Sequence, residues 1–127
     1  MDKPGQLSPS TLAFVGDGIY GLLVRTRLAE VNRPSRELHS LSVKLVNANA
    51  QARAYELISP MLTETEQTMF KRGRNFGTGG VPKNSTSAQY HAATGIETLF
   101  GFLYLSNEYN RMKELFSVIW NDFSGNN

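Results

Sequence analysis

Leu12-Ala13-Phe14-Val15-Gly16-Asp17-Gly18-Ile19-Tyr20 is an apolar, glycine-rich stretch with one carboxylate inside it. Leu12, Val15, Ile19 and Leu22 recur at helical spacing, so the stretch reads as a buried helix. Ser8 reads as its N-cap and Pro9 as its first residue. The helix is expected to run to about Ala29. A second lone acid, Glu97, has a similar setting in Thr94-Gly95-Ile96-Glu97-Thr98-Leu99-Phe100-Gly101. An ionised carboxylate on a core-facing helix is costly unless something compensates it. Two such acids suggest one compensator, most simply a divalent cation between them. Alternatively, each acid pairs with a base such as Arg25 or Arg53, or caps a backbone group. These residues alone leave both readings open.

The rest of the chain also reads as helix. Gly16, Gly18 and Gly21 are poor helix formers, and three in one helix point to close approach of another backbone, such as a partner helix. Pro34-Ser35 opens a second long helix to about Ile58, with Leu38, Leu41, Leu45, Ala48, Ala52 and Tyr55 as its apolar stripe. Thr63 and Glu66 have capping-box spacing and start a shorter helix to about Arg74. Asn75 to Ser85 is a glycine-rich loop. A fourth helix spans about Thr86 to Leu105. A last one, after Asn107, uses Met112, Leu115, Phe116, Ile119 and Phe123 as its core face. Ala13, Asp17 and Gly21 share one face of the first helix; Tyr90, Thr94, Glu97 and Gly101 share one face of the fourth. Side-by-side packing of these helices would bring the two acids together. The expected fold is a single all-α domain over residues 1–127, with its core at about 7–123.

The chain has 127 residues, 40% hydrophobic and 19% charged, as expected of a packed globular domain. It has no cysteine, so disulfides and thiolate metal sites are excluded. The first residues lack an apolar signal core, and no apolar run approaches the length of a bilayer span. A cytoplasmic protein is the expectation.

The net charge of +2 says little, but its distribution says more. No acid falls between Glu66 and Glu97, whereas Lys71, Arg72, Arg74 and Lys83 do. This points to a polyanionic partner at one face, with a solvated basic loop as the plain alternative. Arginine offers bidentate phosphate geometry and lysine a point charge, so phosphate contacts would flank the acid pair. Asn47, Asn49 and Gln51 read as helix-surface amides, with groove contacts as the alternative. His39 and His91 stand alone, without a second histidine at ligand spacing. Trp120 reads as core. Phe14, beside the glycines, reads as an outward-facing dimer contact together with Gly18 and Gly21.

These residues carry a resemblance. Leu12-Ala13-Phe14-Val15-Gly16-Asp17 is similar to the signature helix of the ribonuclease III catalytic domain. Glu97-Thr98-Leu99-Phe100-Gly101-Phe102-Leu103-Tyr104-Leu105 is similar to its second acidic helix. Lys71-Arg72-Gly73-Arg74-Asn75 and Pro82-Lys83-Asn84 resemble the short Mini-ribonuclease III branch. The resemblance covers roughly Leu7 to Phe123. It implies an all-helical homodimer cleaving double-stranded RNA with Mg²⁺, or with Mn²⁺ in its place, and leaving 5′-phosphate and 3′-hydroxyl ends. It also implies no separate RNA-binding domain. In this branch the substrate is the precursor of large-subunit (23S) ribosomal RNA, and a large-subunit ribosomal protein is a candidate helper. By the same resemblance Asp17 and Glu97 are the catalytic, metal-binding acids, and Lys71, Arg72, Arg74, Lys83 and Asn84 hold the RNA backbone.

The sequence departs from the family at Ser10, Ala13 and Thr94, where full-length ribonuclease III carries further acids. This departure motivates a second reading, a catalytically silent scaffold that binds structured RNA. A helical dimerisation module with structural acids is a third, but it leaves the acid-free basic interval unexplained.

Overall fold

The computed structural model describes residues 3–76 and 87–125. After a 3₁₀ turn at Pro4–Gln6, six helices follow: α1 (Pro9–Leu28), α2 (Ser35–Val46), α3 (Ala48–Ile58), α4 (Glu64–Arg74), α5 (Ser87–Leu105) and α6 (Tyr109–Gly125). Among the described residues there is no strand. No helix there is long and apolar enough to cross a membrane.

The expected starts of α1 and α4 are borne out. The Ser8 hydroxyl accepts the Thr11 amide at 3.1 Å, and Pro9 follows it at the first helical position. Thr63 and Glu66 form a reciprocal capping box, with the Thr63 amide donating to Glu66 at 2.9 Å and the Glu66 amide to Thr63 at 3.1 Å. Between α5 and α6, Asn107 takes φ 61°, in the left-handed region that asparagine tolerates better than most residues. The Glu108 amide donates to Leu103 and the Asn107 amide to Tyr104, closing α5 in a Schellman-type end.

The second long helix is two helices. Asn47 leaves helical geometry at ψ 166°, and its side chain accepts the Ala50 amide at 2.8 Å, starting α3 as a new helix. A short polar side chain that caps locally competes with helix continuation. The break shifts the inward face. Leu38, Leu41 and Leu45 stay half-buried on α2, but on α3 the buried residues are Gln51, Ala54 and Ile58. The anticipated stripe of Ala48, Ala52 and Tyr55 is only half-buried.

α5 is the central helix. Apolar around most of its circumference, it packs against α1, α3, α4 and α6. Its only acidic or basic residue, histidine aside, is Glu97. Tyr20 is fully buried, edge-on to both Phe100 and Phe116. Tyr55 stacks on Phe70 at 3.6 Å. Met112, Leu115, Phe116 and Ile119 are buried on α6 as expected, while Phe123 and Trp120 are half-buried.

One ion pair ties α4 to α6. Arg111 donates to both oxygens of buried Glu66 at 2.9 Å and to the Met61 carbonyl at 2.6 Å. Burial pushes the Glu66 carboxyl up, but Arg111 and the Thr63 cap more than offset this and hold it below its ordinary value. The stability linked to Glu66 is therefore present above the unfolded pKa and is lost as pH falls through the folded one. Arg111→Met leaves a buried carboxylate unpaired, and a loss of about 3 kcal/mol is expected by chemical denaturation.

Candidate active site

α1 and α5 meet main chain to main chain. A Cβ added at Gly16 would collide with the carbonyl oxygen of Glu97, and one added at Gly101 with that of Leu12. Only glycine permits this approach. Because Gly16 touches the backbone of Glu97, the next residue, Asp17, is delivered beside the Glu97 side chain. The two carboxyl groups lie within hydrogen-bonding reach. They sit in an open cleft of about 360 Å³. Ser10, Ala13 and Phe14 line it from α1, Tyr90 and Thr94 from α5, and Phe76 from the end of α4.

The burial of the pair differs from expectation. Asp17 is exposed at the mouth of the cleft, and Glu97 is half-buried. Burial pushes the Glu97 carboxyl up, contact with the Asp17 carboxyl adds to this, and the neighbouring Gln51 amide pulls the other way. The net result is a carboxyl pushed up to about 8. Two carboxyls this close cannot both ionise cheaply. A cation between them removes that conflict, so the donor set fits a hard, oxygen-preferring ion. Arg53 is not the compensator, because it pairs with Glu56 and Asp122 at 3.2 Å each. Among the described residues no group of three or more His, Cys, Asp or Glu side chains converges. Asp17 and Glu97 would thus be the protein's ligands, with the rest of the shell left to water and substrate oxygens.

The ribonuclease III domain model matches residues 10–108, which includes both acids and most of the helices that hold them. The chain belongs to the ribonuclease III family. A protein named Mini-ribonuclease 3 from Thermoanaerobacter is 42% identical over 113 residues, or 88% of this chain and 80% of the relative. A Symbiobacterium thermophilum protein of the same name is 42% identical over 114 residues, covering 89% and 88%. One from Clostridium tetani is 36% identical, covering 91% and 78%. A crystal structure of a Fusobacterium nucleatum protein superposes with TM-score 0.86 at 25% identity, covering 96% of this chain and 99% of the other. The family's short branch, Mini-ribonuclease III, is therefore where this chain falls.

Within this ribonuclease III domain, Ser10, Ala13 and Thr94 all line the acid cleft. The positions that depart from the longer family members thus surround Asp17 and Glu97. Lys71 and Arg74 are exposed near the end of α4. Arg72 has a role the sequence did not suggest: its guanidinium donates to the carbonyls of Gly5 at 3.0 Å and Leu7 at 2.8 Å, anchoring the N-terminal segment. Lys83 and Asn84 lie outside the described residues. Gly18 and Gly21 have nothing within 4 Å of an added Cβ, so they make no close approach inside the chain. Phe14 is 82% exposed and Leu22 59%. Gln51, read as a surface amide with a groove contact as the alternative, is buried. Its register depends on the break at Asn47, for which only the capping tendency of asparagine gave a signal.

Proposed function

We propose that this chain is a divalent-metal-dependent endoribonuclease that cuts double-stranded RNA at Asp17 and Glu97. Membership of the ribonuclease III family supports the reaction class. The observation that carries the site is the Gly16–Glu97 backbone contact, which sets the two carboxyls side by side in an open cleft. Asp17 and Glu97 would hold Mg²⁺ or Mn²⁺ and orient the hydrolytic water on one side of the scissile phosphate. When bound, such a cation lowers the pKa of water and neutralises charge on the phosphate. Ser10 and Thr94 are hydroxyl-bearing neighbours able to order water around the pair. The proposed native substrate is the 23S ribosomal RNA precursor, in the cytoplasm, with a large-subunit ribosomal protein as helper. The products would carry 5′-phosphate and 3′-hydroxyl ends.

Purified protein incubated with duplex RNA and Mg²⁺ should yield discrete products, and a chelator should suppress them. Asp17→Asn should abolish cleavage while leaving the helical content and RNA affinity near wild type. Full activity in that variant refutes the assignment. Binding without product in the wild type favours the silent scaffold instead.

A-form RNA is held through phosphate and 2′-hydroxyl contacts. Lys71 and Arg74 are exposed on the same chain segment that leads to Phe76 at the cleft, so they are the proposed phosphate contacts, joined by Lys83 and Asn84. Lys71→Ala and Arg74→Ala should each reduce the slope of log affinity against log salt by about one. Arg72→Ala should change the slope less, since its guanidinium is engaged by Gly5 and Leu7. Equal slopes in Lys71→Ala, Arg74→Ala and wild type would remove these residues from the RNA path.

The duplex has two strands related by local two-fold symmetry, which suits a two-fold dimer. Phe14, Gly18 and Leu22 follow one another at four-residue spacing, leaving an apolar ridge with a bare notch on α1. This face, with Gly21 beside it, is the proposed homodimer interface. Phe14→Ser combined with Leu22→Glu should turn a dimer into a monomer in sedimentation at micromolar concentration. A monomeric wild type under those conditions would exclude the interface.

A further inference from the structure

The acid cleft is walled by α1, α5 and the end of α4, and each junction between them is made differently. Bare backbone at Gly16 and Gly101 joins α1 to α5. Gly73 seats α4 on α5: a Cβ there would collide with the Thr98 hydroxyl and crowd the Thr94 carbonyl, in the turn that carries Glu97. A side chain makes the third junction. Arg72, half-buried in the last turn of α4, reaches the segment that leads into α1. One terminal guanidinium nitrogen donates to the Gly5 carbonyl at 3.0 Å, and the other to the Leu7 carbonyl at 2.8 Å. Among the described residues no other hydrogen bond links α4 to α1 or to its lead. Ser8 caps α1 directly after Leu7, and Ser10 and Ala13 then line the cleft. Phe76 lines it shortly after Arg72.

We propose that Arg72 is a positioning residue, which clamps the lead of α1 to the end of α4 and so fixes the cleft wall that holds the scissile phosphate against Asp17 and Glu97. The inference rests on the nuclease reading above. The chemistry of the side chain suits the task. Two carbonyls two residues apart need two donors at a fixed separation, and a guanidinium presents them in a rigid fork. A lysine ammonium is a point charge on a flexible stem and does not fix that separation. Lys71 and Arg74 stay exposed and reach RNA on their own long stems. Loosening the clamp therefore spares attraction to the duplex and spoils alignment at the acids. Misplacement by about 1 Å can cost on the order of 100-fold in rate.

The test compares Arg72→Ala with Arg72→Lys, which keeps the charge but lacks the fork. In both, kcat on duplex RNA with Mg²⁺ should fall roughly 10–100-fold, while KM and the salt dependence of binding stay near wild type. Native-state hydrogen exchange should quicken at the Gln6 and Leu7 amides, which donate to Lys3 at 2.8 Å and Pro4 at 3.2 Å beside the clamped carbonyls. If Arg72→Ala does not fold, Arg72→Lys carries the test. Quicker exchange with wild-type kcat would make the clamp a structural anchor and overturn the proposal. Unchanged exchange would show no clamp, with the same consequence. A loss that falls on KM and is restored by lysine would make Arg72 a phosphate contact instead. A wild-type protein with no Mg²⁺-dependent cleavage sinks the nuclease reading, so the two failures are distinct.

Discussion

Glu97→Gln should abolish cleavage and, in metal-free protein at pH 8, raise the thermal midpoint above wild type. The first effect follows from removing one of two metal-binding carboxylates. The second follows from the cost of that carboxylate in the absence of metal. The Glu97 carboxyl is pushed from its ordinary 4.5 to about 8 by burial and by Asp17. A group whose folded pKa is raised binds its proton more tightly in the folded state. Below about pH 4.5 it is neutral folded or unfolded and costs nothing. Between about pH 4.5 and 8 the unfolded chain ionises more readily, so the folded state loses stability as pH rises.

Glutamine is neutral throughout, so the advantage of the variant should be absent near pH 4.5 and grow to a plateau near pH 8. One pKa unit corresponds to about 1.4 kcal/mol. Discounting for the half-exposed position, an advantage on the order of 1–3 kcal/mol is expected, several degrees in thermal midpoint. Mg²⁺ should narrow the gap by binding only the wild-type folded state. Equal midpoints at pH 8 without metal would disprove the cost of the buried carboxylate, and retained cleavage would disprove the catalytic role.

Gly16→Ala should be the most damaging glycine-to-alanine change among the described residues. The new methyl would meet the main-chain carbonyl of Glu97, which cannot rotate away as a side-chain end can. Overpacking a core costs about 1–3 kcal/mol, and more when backbone must move. We expect at least ~3 kcal/mol by urea denaturation, together with loss of cleavage because α1 and α5 must part. Gly18→Ala is the matched control, with nothing within 4 Å of the added group. Read at a concentration where the chain is monomeric, it should gain up to ~1 kcal/mol from helix propensity. A wild-type midpoint in Gly16→Ala would rule out the backbone seam.

Both changes bear on what could be read from the sequence. Helical periodicity and capping residues located α1, α4, α5 and α6 because those signals are local. The two acids stood out because each is isolated in apolar surroundings, and their side-by-side placement followed from small residues on two long helices. What was missed depended on three-dimensional context. Asn47 looks the same whether it sits on a helix or ends one, and only its bond to the Ala50 amide decides. With that break unseen, Gln51 read first as a surface amide, and its burial only as the alternative. Arg72 resembles its basic neighbours in composition, yet two carbonyls of the N-terminal segment claim it. Of three glycines expected to serve close contact, only Gly16 does so within the chain, helped by Gly101 on the facing helix.

The seam at Gly16 and Gly101 has an evolutionary corollary. Spacing between the two carboxylates is dictated by peptide groups touching peptide groups, and not by how the surrounding methyls and rings interlock. Leu12, Leu99 or Ile119 can therefore drift to other aliphatics without detuning the reaction centre, provided the two bare positions persist. Lineages of this domain should let those aliphatic positions diverge while keeping glycine where one spine rests upon another.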